Sequence, residues 1–281
     1  MISILTPTRE RPANVRRLIA SVVSTAEQPL NVELLFYVDH DDQTFPEDVL
    51  SDNVRLIRGP RMWLSLLQNV LYASSRGEIV MYAGDDLVFE TFGWDTRVQS
   101  VFESSNDKLV LVYPNDRATH GESMAIHGFL HRNWIDAIGC WVAPGRGSLF
   151  DLWHTEVARK LGRLRYLEDV VIAHVHYRQG AGQAVFDETY RALSAATRSW
   201  VPMVTYRKLK RERRIDYILL SEKIKDPLKT DRNYILAEWL AKNRTKLGLG
   251  SIDERRIRSM GNFEIIPVIV KNVFKLVTRG K

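Results

Sequence analysis

The segment 76–95 constrains the fold more than any other part of the sequence, because a short apolar run within it ends at two carboxylates. Residues 79–83 carry no charge, and Gly84, Asp85 and Asp86 follow at once. Such a run is typical of a buried strand in a parallel sheet, and open α/β sheets bind ligands just beyond the carboxyl ends of these strands. Carboxylate oxygens suit Mg²⁺ or Mn²⁺. A lone Gly-Asp-Asp is also common as a solvated acidic turn, so the interpretation needs support from neighbouring strands.

That support comes from the alternation of strand-like and helix-like patterns along the chain. Apolar runs predict strands at 2–5, 32–38, 54–57, 79–83, 109–113 and 167–175, with a loop and strand in 120–130. Apolar residues at helical spacing predict helices at 13–25, 64–74, 96–102, 133–138 and 151–162. The alternation predicts an α/β protein with a mostly parallel central sheet and flanking helices. We expect an α/β domain over residues 1–200 and a basic, mostly helical C-terminal region over 201–281.

Composition narrows the class of protein. The single cysteine, Cys140, excludes an internal disulfide framework, and the sequence has no pattern of a secretory signal near Met1. The longest apolar region, 263–277, contains charged residues and a proline, so we expect no membrane span. These features predict a soluble, cytoplasmic protein.

Charge is distributed unevenly along the chain. Residues 201–281 contain 20 Lys and Arg against 9 Asp and Glu, whereas residues 1–200 contain 20 against 25, so a balance of +11 follows one of −5. This polarity suggests a polyanionic partner such as nucleic acid, or an anionic membrane surface. A solvated helical face would give the same composition.

The motifs at the predicted strand ends, taken in order and spacing, resemble those of the GT-A fold nucleotide-diphospho-sugar glycosyltransferases, specifically family-2-like members. The resemblance covers roughly residues 1–190. It depends on three stretches: SILTPTR at 3–9, Tyr37-Val38-Asp39, and the run from Arg76-Gly77-Glu78-Ile79 to Gly84-Asp85-Asp86.

The resemblance implies a set of donor and metal contacts. Nucleobase and ribose contacts would come from Thr6, Pro7, Thr8, Arg9 and Asp39, while Gly59 and Arg61 would lie along the nucleotide. Asp86 would bind Mn²⁺ or Mg²⁺ on the donor diphosphate, and Asp85 would bind the metal or touch the sugar or ribose. The sequence departs from the DxD pattern at Gly84, where the family has its first aspartate. A later ligand would be His174 or His176, although a histidine beside an apolar strand is often structural.

The resemblance also implies an inverting transfer with a carboxylate as base. Asp151, at the start of a predicted helix, matches the family's base position, although a carboxylate there is also explained by helix capping. The Glu168-Asp169 pair is the competing candidate, with Asp169 as the base.

Several acceptors and alternative functions stay open. Phage-type enzymes that glycosylate hydroxymethylated pyrimidines in DNA suggest a DNA acceptor, held by the basic residues within 207–214. A lipid-linked or cell-surface glycan, reached at an anionic membrane surface, is the alternative, and a protein acceptor is a third. A non-catalytic binding protein on the same scaffold is a further hypothesis, and a palm-type polymerase with a Gly-Asp-Asp turn is a weaker one.

Overall fold

The computed structural model describes residues 1–117, 123–139, 141, 149–175, 191 and 206–225. Eight strands lie within these residues: β1 (Ile2–Pro7), β2 (Val32–Asp39), β3 (Val54–Gly59), β4 (Ile79–Tyr82), β5 (Leu87–Phe89), β6 (Leu111–Asn115), β7 (Phe129–His131) and β8 (Leu164–His174). Six α-helices accompany them: α1 (Pro12–Thr25), α2 (Leu64–Ser74), α3 (Trp94–Glu103), α4 (Arg132–Ile138), α5 (Phe150–Lys160) and α6 (Lys210–Lys225).

The strands form one sheet in the order β3-β2-β1-β4-β7-β6-β8-β5. Strands β1, β2, β3 and β4 pair in parallel, as do β6 and β8, whereas β7 and β5 each run antiparallel to their neighbours. The predicted mostly parallel sheet with flanking helices is therefore confirmed. The carboxyl ends of the parallel strands all meet at one edge.

Helices cover both faces of the sheet, which explains the continuous apolar runs. Ile4 packs with α1 and α3 in one core cluster, whereas its neighbour Leu5 packs with α2, α4 and α5 in a second cluster. Successive side chains of a strand point to opposite faces, so one strand supplies both cores. Every residue of β2 is buried.

The loop before β4 explains the Arg76-Gly77-Glu78 motif structurally. A Cβ at Gly77 would lie 2.6 Å from the hydroxyl oxygen of Ser3 and 2.9 Å from the carbonyl oxygen of Met1, so only glycine fits there. The same hydroxyl donates to the buried Glu33 and accepts from the Gly77 amide. This motif therefore joins β1, β2 and β4 at the edge opposite the carboxyl ends.

Helix α6 belongs to the second core rather than to a separate surface. Leu220 is fully buried in that cluster, and Trp153 of α5 donates its indole N–H to Asp216 at 2.7 Å. The division into domains at residue 200 stays a prediction. The predicted helical region beyond residue 225, with the apolar region 263–277, lies outside the described residues. In the described part, every helix is too short or too polar to cross a bilayer.

Candidate metal and donor site

Three potential metal ligands meet at the carboxyl edge of the sheet. Asp86 follows β4, His174 ends β8, and His127 lies in the loop before β7. One ligand atom of each lies within 4.8 Å of the other two. Asp86 Oδ2 lies 3.2 Å from His174 Nε2, and the two imidazole rings stand perpendicular with their centroids 4.8 Å apart.

The environment of His127 keeps its imidazole neutral, which is the form that can bind a metal. Burial, together with the nearby His174, lowers the pKa of His127 to about 3, so its imidazole is neutral at physiological pH. Its Nε2 is shielded from solvent and has no hydrogen-bond partner among the described residues. A buried polar atom without a partner is costly, and a bound cation would remove that cost.

His174 has the opposite shift. Burial lowers its pKa, but the hydrogen bond and the negative charge of Asp86 outweigh burial, so the pKa of His174 is raised above its ordinary value. The proximity of Asp86 therefore favours the protonated form of His174. A cation bound to the carboxylate would displace that proton, because metal ligands must be deprotonated.

Asp85 points away from this cluster, towards the start of α1. Its carboxylate accepts hydrogen bonds from the Thr8 hydroxyl at 2.7 Å, from Arg11 at 3.1 Å and from the Asn14 amide at 3.4 Å. Burial raises the pKa of Asp85, and the charge of Asp86 adds to this, although Arg11 and Thr8 oppose the shift. Asp85 therefore fixes the β1–α1 loop beside the metal cluster.

Arg9 bridges the ends of β1 and β2. Its guanidinium donates to Asp39 at 2.9 Å and to both carboxylate oxygens of Asp41, at 2.6 and 2.9 Å. Asp39 is buried, whereas Asp41 is exposed. Arg9 and Asp39, both predicted donor contacts, are thus brought together at the same edge.

The remaining predicted nucleotide contacts line the neighbouring loops. Thr6 and Pro7 end β1, and the Thr6 hydroxyl is buried without a hydrogen-bond partner among the described residues. Gly59 ends β3, and a Cβ there would overlap the Tyr37 hydroxyl at 2.1 Å, so packing alone requires this glycine. Arg61 follows and is exposed.

Asp151 lies in the first turn of α5, half-buried, and accepts a hydrogen bond from the Leu152 amide at 2.8 Å. Burial raises the pKa of Asp151 to about 7, and the hydrogen bond from the Leu152 amide opposes this shift only in part. Its charge also contributes to the raised pKa of buried Tyr82, the last residue of β4. Asp151 is therefore near the strand that leads to Asp85 and Asp86, and it is poised to exchange a proton near neutral pH.

The competing carboxylates are placed differently. Asp169 is mid-strand in β8, its side chain is 70% exposed, and it forms an ion pair with Arg97 of α3 at 2.6 Å. Glu168 is also exposed. The structure does not include Asp169 in the group with Asp86, and His176 lies outside the described residues.

The basic residues within 207–214 differ in burial. Arg213 is buried, forms an ion pair with Glu156 at 3.1 Å, and lies over the rings of Trp153 and Tyr206. The other basic side chains of the segment are exposed: Arg207, Lys208, Lys210, Arg211 and Arg214. Arg213 therefore stabilises the core, and a charged partner would meet only the exposed five.

The donor set suits a divalent cation. It combines one carboxylate with two imidazoles, one of which has a shielded and unbonded nitrogen. Three protein ligands leave coordination positions for oxygen atoms of a substrate. Sequence reasoning proposed Asp86 with His174 or His176 as ligands, which stays a prediction, and it did not consider His127.

No protein-family model matches the chain, and no curated protein is significantly similar in sequence. Among solved structures, the mannosyltransferase PcManGT from Pyrobaculum calidifontis, in complex with GDP-Man and Mn²⁺, superposes with a TM-score of 0.52 at 15% identity, over 98% of this chain and 87% of that one. Residues 1–349 of S. aureus TarS give a TM-score of 0.48 at 13% identity, over 61% of this chain and 59% of that one. GalNAc-T7 with UDP, GalNAc and Mn²⁺ gives a TM-score of 0.49 at 10% sequence identity, over 63% of this chain and 44% of that one.

The chain thus spans well under two thirds of the TarS fragment and of GalNAc-T7, but most of PcManGT. The chain has the GT-A fold of the nucleotide-sugar glycosyltransferases.

Proposed function

We propose that the protein is a metal-dependent glycosyltransferase that moves a sugar from a nucleoside diphosphate donor to an acceptor hydroxyl. The observation that carries the proposal is the cluster of Asp86, His127 and His174 at the carboxyl edge of a GT-A sheet. Donors of this class carry two phosphates, and divalent cations in proteins commonly bridge carboxylates to phosphate oxygens. The mannosyltransferase with the same fold was solved with a nucleotide sugar and Mn²⁺.

The loops beside the cluster would hold the nucleotide. Arg9 and Asp39 meet where the first two strands end, and the Thr8–Asp85 hydrogen bond ties that loop to the metal cluster. Exposed Arg61 follows the third strand, and a guanidinium pairs well with phosphate oxygens. We therefore assign the nucleoside to the β1–β2 edge and the diphosphate to the side facing Asp86.

A bound cation would neutralise the charge that develops on the departing diphosphate. In the transfer we propose, the acceptor oxygen forms a bond to the anomeric carbon while the bond from that carbon to the diphosphate oxygen breaks. The carboxylate of Asp151 accepts the acceptor's hydroxyl proton. Attack from the side opposite the leaving group inverts the anomeric centre, and a base there has to be distinct from the metal ligands.

Asp151 is a better candidate base than Asp169. Its pKa of about 7 lies close to the operating pH, where general bases work best. Asp169 is held by Arg97 on the surface, and its side chain is 70% exposed. Arg97 would have to be displaced before the Asp169 carboxylate could meet an acceptor hydroxyl.

Hydrolysis of the donor distinguishes a glycosyltransferase from a non-catalytic binding protein with the same fold. The purified full-length protein is incubated with UDP- and GDP-sugars, with Mn²⁺ or with a chelator, and release of the nucleoside diphosphate is measured. The proposal predicts slow release that requires the metal. A protein that binds nucleotide sugars but releases no diphosphate under any of these conditions would instead be a binding protein on this scaffold.

For the acceptor, we propose DNA carrying hydroxymethylated pyrimidines. The support is the exposed basic set at 207–214 together with the balance of +11 over residues 201–281. Lysine and arginine contacts to phosphates give affinity that falls steeply with salt, and a base in a duplex has to leave the stack to react. The exposed set is Arg207, Lys208, Lys210, Arg211 and Arg214.

Charge reversal of the exposed set, with Arg213 left intact, tests this acceptor. We expect the reversed variant to lose DNA binding, and wild-type binding to fall by about 10³-fold or more between low and physiological salt if several phosphates are contacted. Undiminished DNA binding by the variant would exclude this surface. If the wild-type protein does not bind DNA but floats with anionic liposomes, the membrane alternative is supported instead.

A further inference from the structure

The ligand set of the metal cluster is unusually rich in nitrogen for a site that binds a diphosphate. Among the described residues, the cluster contains one carboxylate, Asp86, and two imidazoles, His127 and His174. We propose that His127 is a metal ligand that takes the place of the missing carboxylate at Gly84, and that the site therefore selects manganese and later transition metals over Mg²⁺. This inference refines the metal site of the proposed function.

Gly84 has no room for the aspartate that the DxD pattern would put there. A Cβ at Gly84 would lie 2.5 Å from Asp86 Oδ1 and 3.6 Å from His127 Cε1. Real Cβ atoms do not approach other atoms as closely as 2.5 Å, so any side chain at 84 would push the Asp86 carboxylate out of its position. The space beside Gly84 is already taken by the two residues that form the cluster.

The second carboxylate of the motif is also engaged elsewhere. Asp85 is held by Thr8, Arg11 and Asn14, on the side of α1. Turning it towards the cluster would break these hydrogen bonds, including the ion pair with the largely buried Arg11. Asp85 therefore adds negative charge near the site but no ligand.

The backbone fixes the two histidines firmly enough to make a selective site. His127 immediately precedes Gly128, whose carbonyl accepts from the Tyr82 amide, and His174 donates its amide to the Asp116 carbonyl. The amide of Val175 donates to the carbonyl of Asp86, so the ends of β4 and β8 are joined at the cluster. Ligands on three bonded elements have little freedom to rearrange around a different cation.

Cation chemistry then decides between the metals. Mg²⁺ prefers oxygen ligands in a near-ideal octahedron and gives up water reluctantly. Imidazole nitrogen suits Zn²⁺, Cu²⁺, Fe²⁺ and Ni²⁺, and the affinity of a site with nitrogen and oxygen ligands rises along the first-row divalent metals from Mn²⁺ to Cu²⁺. Mn²⁺ is the first member of that series, whereas Mg²⁺ is a hard cation outside it. Replacing a carboxylate by an imidazole at the position next to Asp86 therefore disfavours Mg²⁺ more than it disfavours Mn²⁺.

The test measures metal binding by the full-length protein with MnCl₂ or MgCl₂ alone, without sugar nucleotide. Titration calorimetry gives the two dissociation constants, and pulsed electron paramagnetic resonance of bound Mn²⁺ detects nitrogen ligands through their ¹⁴N couplings. We expect two imidazole couplings in the wild type and one in His127→Ala, whose Mn²⁺ affinity should fall by about tenfold or more. His40→Ala, at an exposed histidine, is the matched control and should leave both readouts unchanged.

A second variant, His127→Glu, restores an oxygen ligand at the same place. It should lower the ratio of Mg²⁺ to Mn²⁺ dissociation constants by about tenfold, and His174→Glu serves the same purpose if His127→Glu does not fold. The absence of ¹⁴N couplings in the wild type, or equal affinity for the two metals, would overturn the proposal. Because neither readout uses turnover, selective binding without glycosyl transfer would refute the proposed function alone, and transfer supported equally by both metals would refute this inference alone.

Discussion

The carboxylate of Asp86 and the imidazole of His174 lie 3.2 Å apart, although 88 residues separate them along the chain. The sheet brings them together. Leu87 pairs with His174 in the antiparallel ladder of β5 and β8, so the residue before Leu87 necessarily lies beside the end of β8. The approach of Asp86 to His174 is therefore fixed by strand register.

Replacement of Asp86 should abolish metal binding. Asp86→Ala removes the only carboxylate of the cluster within the described residues, and we expect Mn²⁺ affinity and metal-dependent donor hydrolysis to fall by about 100-fold or more. The measurement is Mn²⁺ titration together with nucleoside diphosphate release. Asp52→Asn, at an exposed aspartate away from the cluster, should behave like the wild type. Wild-type turnover by Asp86→Ala would remove the metal assignment.

Loss of the Asp151 carboxylate should impair transfer but not donor binding. General bases contribute about 10²–10⁴-fold, so Asp151→Asn should lower kcat for transfer by that range. Since the pKa of Asp151 is about 7, wild-type transfer should rise with pH up to about 7 and then level off, because the base works only when deprotonated. That limb should vanish in the variant, and Asp169→Asn should retain it. The reverse pattern would make Asp169 the base.

The same carboxyl group should cost stability at high pH. Asp151 has a raised pKa in the folded protein, about 7, against about 3.9 when unfolded. The folded state therefore binds the extra proton between these values, so its contribution to stability is present below pH 4 and is lost as pH rises through 7. The difference of about three pKa units corresponds to about 4 kcal/mol, so Asp151→Asn should melt about 10 °C higher than the wild type at pH 8, and at the same temperature at pH 4. An equal difference at both pH values would contradict the burial of this charge.

Arg213 should behave as a core residue despite its place in a basic segment. Arg213→Ala leaves Glu156 without its ion pair and removes the cation from the rings of Trp153 and Tyr206, so we expect the free energy of unfolding to fall by about 2–4 kcal/mol. Urea denaturation measures the change. Arg214→Ala, one residue further along on the exposed side, should change stability by less than about 0.5 kcal/mol. Similar effects of the two substitutions would mean that Arg213 is a surface charge.

Much of the fold follows from the sequence because its signals are local. The apolar run at 79–83 and the helical spacing at 64–74 correspond to β4 and α2 almost residue for residue. Strand β5 gave no such signal, because three residues are too few to show a period. Yet β5 sets the register that joins Asp86 to His174.

The sequence indicates the candidate site residues that follow parallel strands, such as Asp86 and His174. It does not indicate His127, which precedes an antiparallel strand. His127 precedes β7, which runs antiparallel to β4, so the start of β7 and not its end lies at the functional edge. Reading residues that follow strands cannot find it. Only the tertiary pairing places this histidine beside Asp86, and no short-range pattern encodes that pairing.

The most direct test of the account is a crystal structure of the protein grown with Mn²⁺ and a nucleoside diphosphate, with diffraction recorded on both sides of the manganese absorption edge. We predict an anomalous peak bonded to Asp86, His127 and His174, with phosphate oxygens completing the coordination and the nucleoside towards Asp39. A manganese peak that makes no bond to Asp86, or a nucleotide bound away from this edge of the sheet, would contradict the account.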